Sequence, residues 1–274
     1  MLHQKEPLVR GGIIAAPPRS ALYGSGLIIG TVAAVSIAMA VPAHTRWIAA
    51  VMVGLGIAAV SLRSIYAGHL ALLFSIWVLG TGFVPVLRPW PWRIAVPLAF
   101  YAVLVMSVPA LRRSLGWLRA GTWDRSTGAL VAATGLLSGT ALVGWVMIFN
   151  PDLERHLQVL RTVPIWAFPV AGAGFAVFNA ALEEAVFRGV MMEALDSAFG
   201  EGAASVAIQA LSFAAFHYVT GFPNGIAGFM MVAVYGGMLG LLRRRARGLL
   251  APWAAHVAAD AVIFAILTWV LAGA

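Results

Sequence analysis

The chain has 274 residues, of which 61% are hydrophobic and only 10% are charged. A soluble domain carries about 25% charged residues and its core cannot bury this much apolar surface, so the composition excludes a soluble globular protein and indicates a lipid environment. The net charge of +8 does not indicate nucleic-acid binding, because the arginines are scattered between apolar runs. The absence of cysteine excludes disulfides and thiolate chemistry.

Apolar runs long enough to cross a bilayer follow one another from about residue 21 onward, bounded by Arg, Pro or acidic clusters. The predicted spans are 21–41, 47–62, 64–87, 94–111, 128–149, 164–192, 202–219, 224–242 and 252–272. Only Arg63 separates the second span from the third, so eight spans with a re-entrant segment is the alternative. We predict an all-α fold, a polytopic transmembrane helix bundle of about eight to nine spans.

The Lys and Arg residues of the loops predict the orientation. With nine spans, a cytoplasmic N-terminus places twelve basic residues, including Lys5 and Arg10, on the cytoplasmic side and five on the other. The run 21–41 is too long for a signal peptide and is interpreted as a true span. Trp residues beside Arg or Pro, such as Trp90, are interpreted as interfacial anchors. Since the chain is rich in Ala, Gly and Arg, we expect a multi-pass protein of a bacterial inner (cytoplasmic) membrane.

Glycines four residues apart occur in two of the predicted spans. The pairs are Gly26 with Gly30 and Gly236 with Gly240. Small residues at this spacing let the backbones of neighbouring helices approach closely. We therefore predict tight helix packing at both pairs rather than a role in ligand binding.

Carboxylates are placed unevenly, and the first four predicted spans contain none. In the last third, Glu183, Glu184 and Asp260 lie inside apolar sequence, and Arg188 is the one arginine well inside a predicted span. Each such charge at a bilayer centre costs roughly 2.5–3.5 kcal/mol. Residues that oppose insertion this strongly are expected to face the bundle interior and to serve a function.

Three pairs of residues, each four positions apart, lie on three of the C-terminal spans. The pairs are Glu184 with Arg188, Phe213 with His217, and His256 with Asp260. Residues at this spacing share one face of a helix, whereas Glu183 is rotated by about 100° from Glu184 and can face a different neighbour. One pair alone could simply bridge two helices. Three pairs on three spans predict a catalytic site.

These segments resemble the three motifs of one protease family. Their sequences, in chain order, are Glu183-Glu184-Ala-Val-Phe-Arg188, Phe213-Ala-Ala-Phe216-His217 and His256-Val-Ala-Ala-Asp260. The family is CPBP, the CAAX-protease and bacteriocin-processing intramembrane endopeptidases, whose members include CAAX-prenyl endopeptidases, bacteriocin self-immunity proteins and myxosortases. The resemblance divides the chain into N-terminal spans without a recognisable motif, 1–163, and a CPBP-like catalytic helical core, 164–274.

The resemblance implies an endopeptidase that hydrolyses a membrane-associated or lipidated protein, near its C-terminus, with an activated water. Glu183 is implied as the general base, with His217 sharing the same water. Arg188 is implied to hold Glu184 in place. The implied partners are this protein substrate and the lipid bilayer, with no nucleic acid and with the oligomeric state left open.

His256 and Asp260 are implied to orient the scissile carbonyl or to stabilise the oxyanion. The family pattern has Asn or Asp at the last position, and an ionised Asp260 can only accept hydrogen bonds. It must therefore be protonated, orient His256 or bind a metal. Glu183, His217, His256 and Asp260 would together make a set of zinc ligands. The interpretation favours a mechanism without metal or other cofactor, with a zinc-dependent protease as the alternative.

The predicted span edges place His256 near the cytoplasmic end of its helix and His217 near the far end of its own. The two residues can then meet only if these helices are shortened, tilted or re-entrant. Two hypotheses from other classes also stay open. The chain could be a non-catalytic scaffold or immunity protein that keeps the fold, or a proton-coupled transporter that uses Glu183 and the histidines as a relay.

Overall fold

The computed structural model describes residues 19–273, so Lys5 and Arg10, which entered the orientation prediction, lie outside the described residues. Within this range every regular element is helical. The helices are α1 (Arg19–Ala40), α2 (Thr45–Ser61), α3 (Ile65–Phe83), α4 (Trp92–Ser107), α5 (Pro109–Arg113), α6 (Arg125–Phe149), α7 (Glu154–Leu160), α8 (Phe168–Glu184), α9 (Met192–Phe199), α10 (Ala203–Thr220), α11 (Gly225–Ala246) and α12 (Leu250–Gly273). A π-helical segment, Ala185–Met191, joins α8 to α9. The predicted all-α fold is confirmed.

Eight segments of the described chain are long and apolar enough to cross a membrane, which confirms an integral membrane bundle of about eight to nine spans. The predicted span 94–111 is not one of these eight segments, because its helix is too short. This helix, α4, has 16 residues. At 1.5 Å per residue it is about 24 Å long, whereas the hydrocarbon core of a bilayer is about 30 Å thick. Pro109 explains why α4 ends early, because a residue before proline avoids the helical conformation, and Val108 is extended.

Arg63 is enough to divide the long apolar stretch after residue 47 into two helices. It adopts a left-handed conformation, with φ of 54°, and α2 and α3 pack against each other on either side of this turn. A left-handed residue reverses the chain sharply because it cannot continue a right-handed helix. The second and third predicted spans are therefore separate helices.

The N-terminal helices pack directly on the helices that carry the motifs. α1 contacts α10 and α9, and α3 contacts α9. In the centre of this interface the rings of Trp77 and Phe216 lie 5.4 Å apart, and Phe74 and Phe187 belong to the same buried cluster. The N-terminal spans thus form one side of the core around the motif residues.

The loop between α5 and α6 supports the π-helical segment. It is fixed to the start of α12 by a hydrogen bond from the Leu249 amide to the Arg119 carbonyl, 2.8 Å. Trp117, in this loop, is buried against Gly189, where a Cβ atom would lie 2.6 Å from the indole ring. Because glycine leaves room for the indole, the loop packs on the segment that carries Arg188.

Tight packing at the second glycine pair is confirmed. A Cβ atom at Gly236 would lie 3.1 Å from the Ala210 Cα, and one at Gly240 would lie 2.8 Å from the Gln209 amide, so both glycines face α10. The prediction for the first pair is wrong at Gly26, which has no described neighbour within 4 Å.

We expect Gly236→Leu to lower the free energy of unfolding by about 1–3 kcal/mol, because the added side chain must displace the backbone of α10. Thermal unfolding in detergent measures this loss. Gly237→Leu is the matched control, since the neighbouring glycine of the same helix faces open space. Equal loss of stability in the two variants would contradict the packing argument.

Candidate active site

The end of α8 and the π-helical segment that follows carry the first motif. Glu183 and Glu184 are the last residues of α8, and Arg188 lies in the π-helical segment. All three side chains are buried. π-Helical turns are rare and occur often at functional sites. Here the Arg188 carbonyl accepts a hydrogen bond from the Arg243 side chain, 2.9 Å, which ties this segment to α11.

Glu184 joins the first motif to the third. Its Oε1 atom accepts a hydrogen bond from Arg188 Nη1 at 2.9 Å and is also bonded to His256 Nδ1 at 2.8 Å. An arginine is always charged and pairs with a carboxylate, which can only accept, so Nδ1 of His256 is the donor. The other ring nitrogen, Nε2, is left to face Glu183 and Asp260.

Glu183 faces both histidines. Its Oε2 atom lies 3.6 Å from His256 Nε2 and 4.0 Å from His217 Nε2. This oxygen is buried and has no hydrogen-bond partner among residues 19–273. His217 Nδ1 is 3.0 Å from the Phe213 carbonyl, and it must donate because a carbonyl only accepts. In a neutral His217 the Nε2 lone pair is therefore directed toward Glu183.

Asp260 lies on the other side of His256, with Oδ1 3.7 Å from its Nε2. This separation is longer than a hydrogen bond. The other oxygen, Oδ2, accepts from Asn179 Nδ2 at 3.1 Å, and Asn179 Oδ1 in turn accepts from Trp90 Nε1 at 2.8 Å. The six residues predicted from the motifs thus lie in one connected group.

Sequence reasoning missed Asn179 and Trp90. A signal for Asn179 existed, because it is an amide in an apolar run, four residues before Glu183 and thus on the same face of α8. Trp90 was interpreted as an interfacial anchor, and nothing in the sequence indicated its contact with Asn179, 89 positions away.

We expect Asn179→Ala to lower the turnover number by about tenfold, since leaving the buried Asp260 oxygen without its hydrogen bond costs roughly 1–3 kcal/mol. Asn179 acts through Asp260, so KM should change less than kcat. Val177→Ala, on the same helix and half-exposed, is the control. A variant at Asn179 with unchanged kcat would contradict a positioning role for this residue.

A small cavity of about 60 Å³ adjoins this group. His217, His256 and Asp260 line it, together with Phe213 and Tyr235. The volume is large enough for water, and the side chains offer the several polar partners that a buried water requires. The cavity can therefore hold a water molecule beside His217, His256 and Asp260, whereas Glu183 is not one of its lining residues.

The same four side chains were the predicted zinc ligands in the alternative mechanism. Tetrahedral zinc, with bonds of about 2.0–2.2 Å, places its ligand atoms roughly 3.3–3.6 Å apart. The two histidine Nε2 atoms lie at or beyond this limit from Glu183. In the described part of the chain no group of three His, Asp or Glu side chains is arranged to hold a metal ion.

Comparison with known proteins identified one family. Residues 164–262 match the model of the family described as type II CAAX prenyl endopeptidase Rce1-like. No curated protein and no solved structure matched the chain. The family match supports a CAAX-type intramembrane endopeptidase activity in general. Residues 164–262 of this membrane protein are thus Rce1-like, and the resemblance to the CPBP family, predicted from the three motifs, is confirmed over that range.

Proposed function

We propose that the protein is an intramembrane endopeptidase that hydrolyses a membrane-anchored or lipidated protein near its C-terminus, using water activated by Glu183. One observation carries this proposal. The Oε2 atom of Glu183 is buried, has no hydrogen-bond partner among the described residues and faces the Nε2 atoms of two histidines from two other helices. An unpaired carboxylate inside a membrane protein is costly, and a function as general base explains why it is kept.

The first step uses the space between Glu183 and His217. The 4.0 Å between their facing atoms exceeds a hydrogen bond and suits a bridging water. In the proposed step Glu183 takes one proton of this water while His217 Nε2 accepts a hydrogen bond from the other. The water oxygen bonds to the scissile carbonyl carbon and forms a tetrahedral intermediate. As the C–N bond of this intermediate breaks, the protonated Glu183 gives its proton to the leaving amine.

His256 is proposed to stabilise the oxyanion. In this step its ring is protonated on both nitrogens. Nδ1–H donates to Glu184, which Arg188 holds in place, and Nε2–H is directed toward the carbonyl oxygen of the substrate. A donor fixed in advance in a site of low dielectric stabilises a developing negative charge better than water does. Asp260, held by Asn179, lies 3.7 Å from Nε2, beyond hydrogen-bond distance, and is proposed to act on the protonated ring by its charge.

The test compares the termini of membrane-derived peptides, by mass spectrometry, in cells that produce the wild type, Glu183→Gln or Glu154→Gln. Glu154 is an exposed residue paired with Arg161 and serves as the control. A protease produces new C-termini that are lost in Glu183→Gln and kept in Glu154→Gln. A scaffold leaves the termini the same in all three. If the protein is instead a proton-coupled transporter, Glu183→Gln loses transport without any change in the termini.

A separate measurement distinguishes the metal-free mechanism from the zinc alternative. We expect exhaustive chelation of the purified protein to leave its hydrolysis rate unchanged within twofold, because no proposed step uses a metal. Complete loss of activity that zinc restores, and that magnesium does not, would overturn the metal-free mechanism. The Glu183→Gln protein, treated in parallel, supplies the background rate.

A further inference from the structure

Three polar side chains of the N-terminal helices bond to one another and take no part in the proposed mechanism. His69 of α3 is 4% exposed. Its Nδ1 atom lies 2.7 Å from the hydroxyl of Tyr101 on α4, and its Nε2 atom lies 2.8 Å from the hydroxyl of Ser114 at the end of α5. We call these three residues the polar anchor. Because burying polar groups in an apolar bundle costs free energy, their retention indicates a specific role.

The hydrogen bonds of the polar anchor run in one direction. The Ser114 hydroxyl donates its single hydrogen to the Leu111 carbonyl at 2.8 Å, so it must accept from His69 Nε2. In a neutral His69 the Nδ1 atom then carries no hydrogen and accepts from the Tyr101 hydroxyl. Both ring nitrogens are thus satisfied without any charge, and a fully satisfied network of this kind makes the structure around it rigid.

The polar anchor fixes the start of the loop between α5 and α6. Ser114 lies three residues before Trp117, the buried indole that packs on Gly189 of the π-helical segment. Between these two loop residues, a Cβ atom at Gly116 would collide with the Glu193 carboxylate of α9. The loop therefore lies directly against both the π-helical segment and the helix that follows it, and the polar anchor holds this loop to α3 and α4.

The π-helical segment is held from two directions. Trp117 packs on it from the loop, and the Arg243 side chain of α11 donates to the Arg188 carbonyl at 2.9 Å. A π-helical turn has i→i+5 hydrogen bonds, whereas the helices on either side have i→i+4 bonds. Relaxation of the segment to the α-helical pattern would rotate Arg188 about the helix axis relative to Glu184. Contacts that keep the segment π-helical therefore also keep the Arg188 guanidinium on Glu184.

We propose that Trp117 is a positioning residue for hydrolysis, held by the polar anchor against the π-helical segment so that Arg188 keeps its hold on Glu184. This inference rests on the proposed function. His256 depends on the same arrangement, because its Nδ1 atom bonds to the Glu184 oxygen that Arg188 holds. The proposal gives α3, α4 and α5, which lie outside the residues 164–262 that match the family, a role in catalysis.

The first test interrupts the polar anchor at Ser114 and measures amide hydrogen exchange, by mass spectrometry, on the full chain in neutral detergent. Ser114→Ala removes the hydroxyl that bonds to His69, whereas Ser114→Thr keeps a hydroxyl there. We expect exchange in the π-helical segment to become about three- to tenfold faster in Ser114→Ala, the effect of one lost hydrogen bond on local opening. Ser114→Thr should exchange as the wild type does. So should the control Ser107→Ala, an exposed serine whose hydroxyl bonds to the Val103 carbonyl of its own helix.

The second test measures the single-turnover rate constant of hydrolysis at saturating protein, which does not depend on the fraction of protein that is folded. We expect Ser114→Ala to lower this rate constant by about three- to tenfold, and Ser114→Thr to restore it. The half-saturating protein concentration should not change, because neither Ser114 nor Trp117 lines the active-site cavity. In a Trp117→Leu background, Ser114→Ala should have no further effect on the rate constant, since both substitutions act through one contact.

Three results would overturn the positioning role of Trp117. One is exchange in the π-helical segment that Ser114→Ala leaves unchanged. Another is faster exchange with an unchanged single-turnover rate constant. The third is a loss of rate in Ser114→Ala that adds in full to the loss in Trp117→Leu, which would mean that the polar anchor acts elsewhere. The proposed function fails by a different result, membrane termini that Glu183→Gln leaves unchanged, and the exchange comparison needs no cleavage.

Discussion

Replacing Glu183 by Gln is expected to lower the rate of peptide hydrolysis by about 10²- to 10⁴-fold, the contribution of a general base. The amide has the size of the carboxylate but cannot accept a proton from water. Since Glu183 Oε2 has no hydrogen-bond partner within the described chain, the substitution breaks no contact of that atom. The variant should therefore fold and bind substrate as the wild type does. Single-turnover kinetics on the reconstituted protein, with a substrate found from the membrane termini, measure the loss.

Two controls make this result specific. Glu154→Gln removes an exposed carboxylate and should keep the full rate. The unfolding temperature of Glu183→Gln should stay close to that of the wild type, because Oε2 of Glu183 forms no hydrogen bond to a described residue. A Glu183→Gln protein with a wild-type rate would contradict the role of Glu183 as general base, and an unfolded one would show that this carboxylate supports the fold.

The fold and the motif residues could be predicted because both depend on local patterns. Runs of about 20 apolar residues determine the spans, and residues four apart share a helix face regardless of what surrounds them. The pairing of Glu184 with Arg188, at 2.9 Å, is of this kind. Contacts between helices could not be predicted in this way, because they depend on which faces meet. The bonds from Glu184 to His256 and from Trp90 to Asn179 belong to this second kind.

The relative depth of the two histidines in the membrane could not be predicted for the same reason. Predicted span edges placed His217 and His256 toward opposite ends of their helices. In the structure both lie beside the middle of α11, where Tyr235 contacts the His256 ring and Gly236 packs against Phe213 in the turn before His217. α11 extends to Ala246, four residues beyond the predicted edge, whereas α12 begins at Leu250. Helix ends are thus a poor measure of depth when neighbouring helices extend by different amounts.

Replacing Arg188 by Met is expected to lower the free energy of unfolding by about 3–5 kcal/mol, the usual cost of removing one partner of a buried ion pair. Arg188 is 0% exposed and Glu184 is 1% exposed. Without Arg188 the charge of Glu184 is left with His256 as its described hydrogen-bond partner. The guanidinium also lies 4.3 Å from the centre of the Phe213 ring, and methionine keeps only the apolar part of that contact. Equilibrium unfolding in mixed micelles measures the change.

A double variant identifies the cause of that loss. If the stability lost in Arg188→Met comes mainly from leaving the Glu184 carboxylate unpaired, adding Glu184→Gln should recover part of it. The double variant should then lose clearly less stability than the sum of the losses in the two single variants. Arg161→Met is the matched control, because its pair with Glu154 is about half exposed and exposed pairs contribute roughly 0–1 kcal/mol. The double variant should hydrolyse peptide more slowly than the wild type, because Arg188 no longer holds the Glu184–His256 pair in place. Strictly additive losses would instead mean that Arg188 stabilises the bundle by packing alone, and the orientation of His256 would then need another explanation.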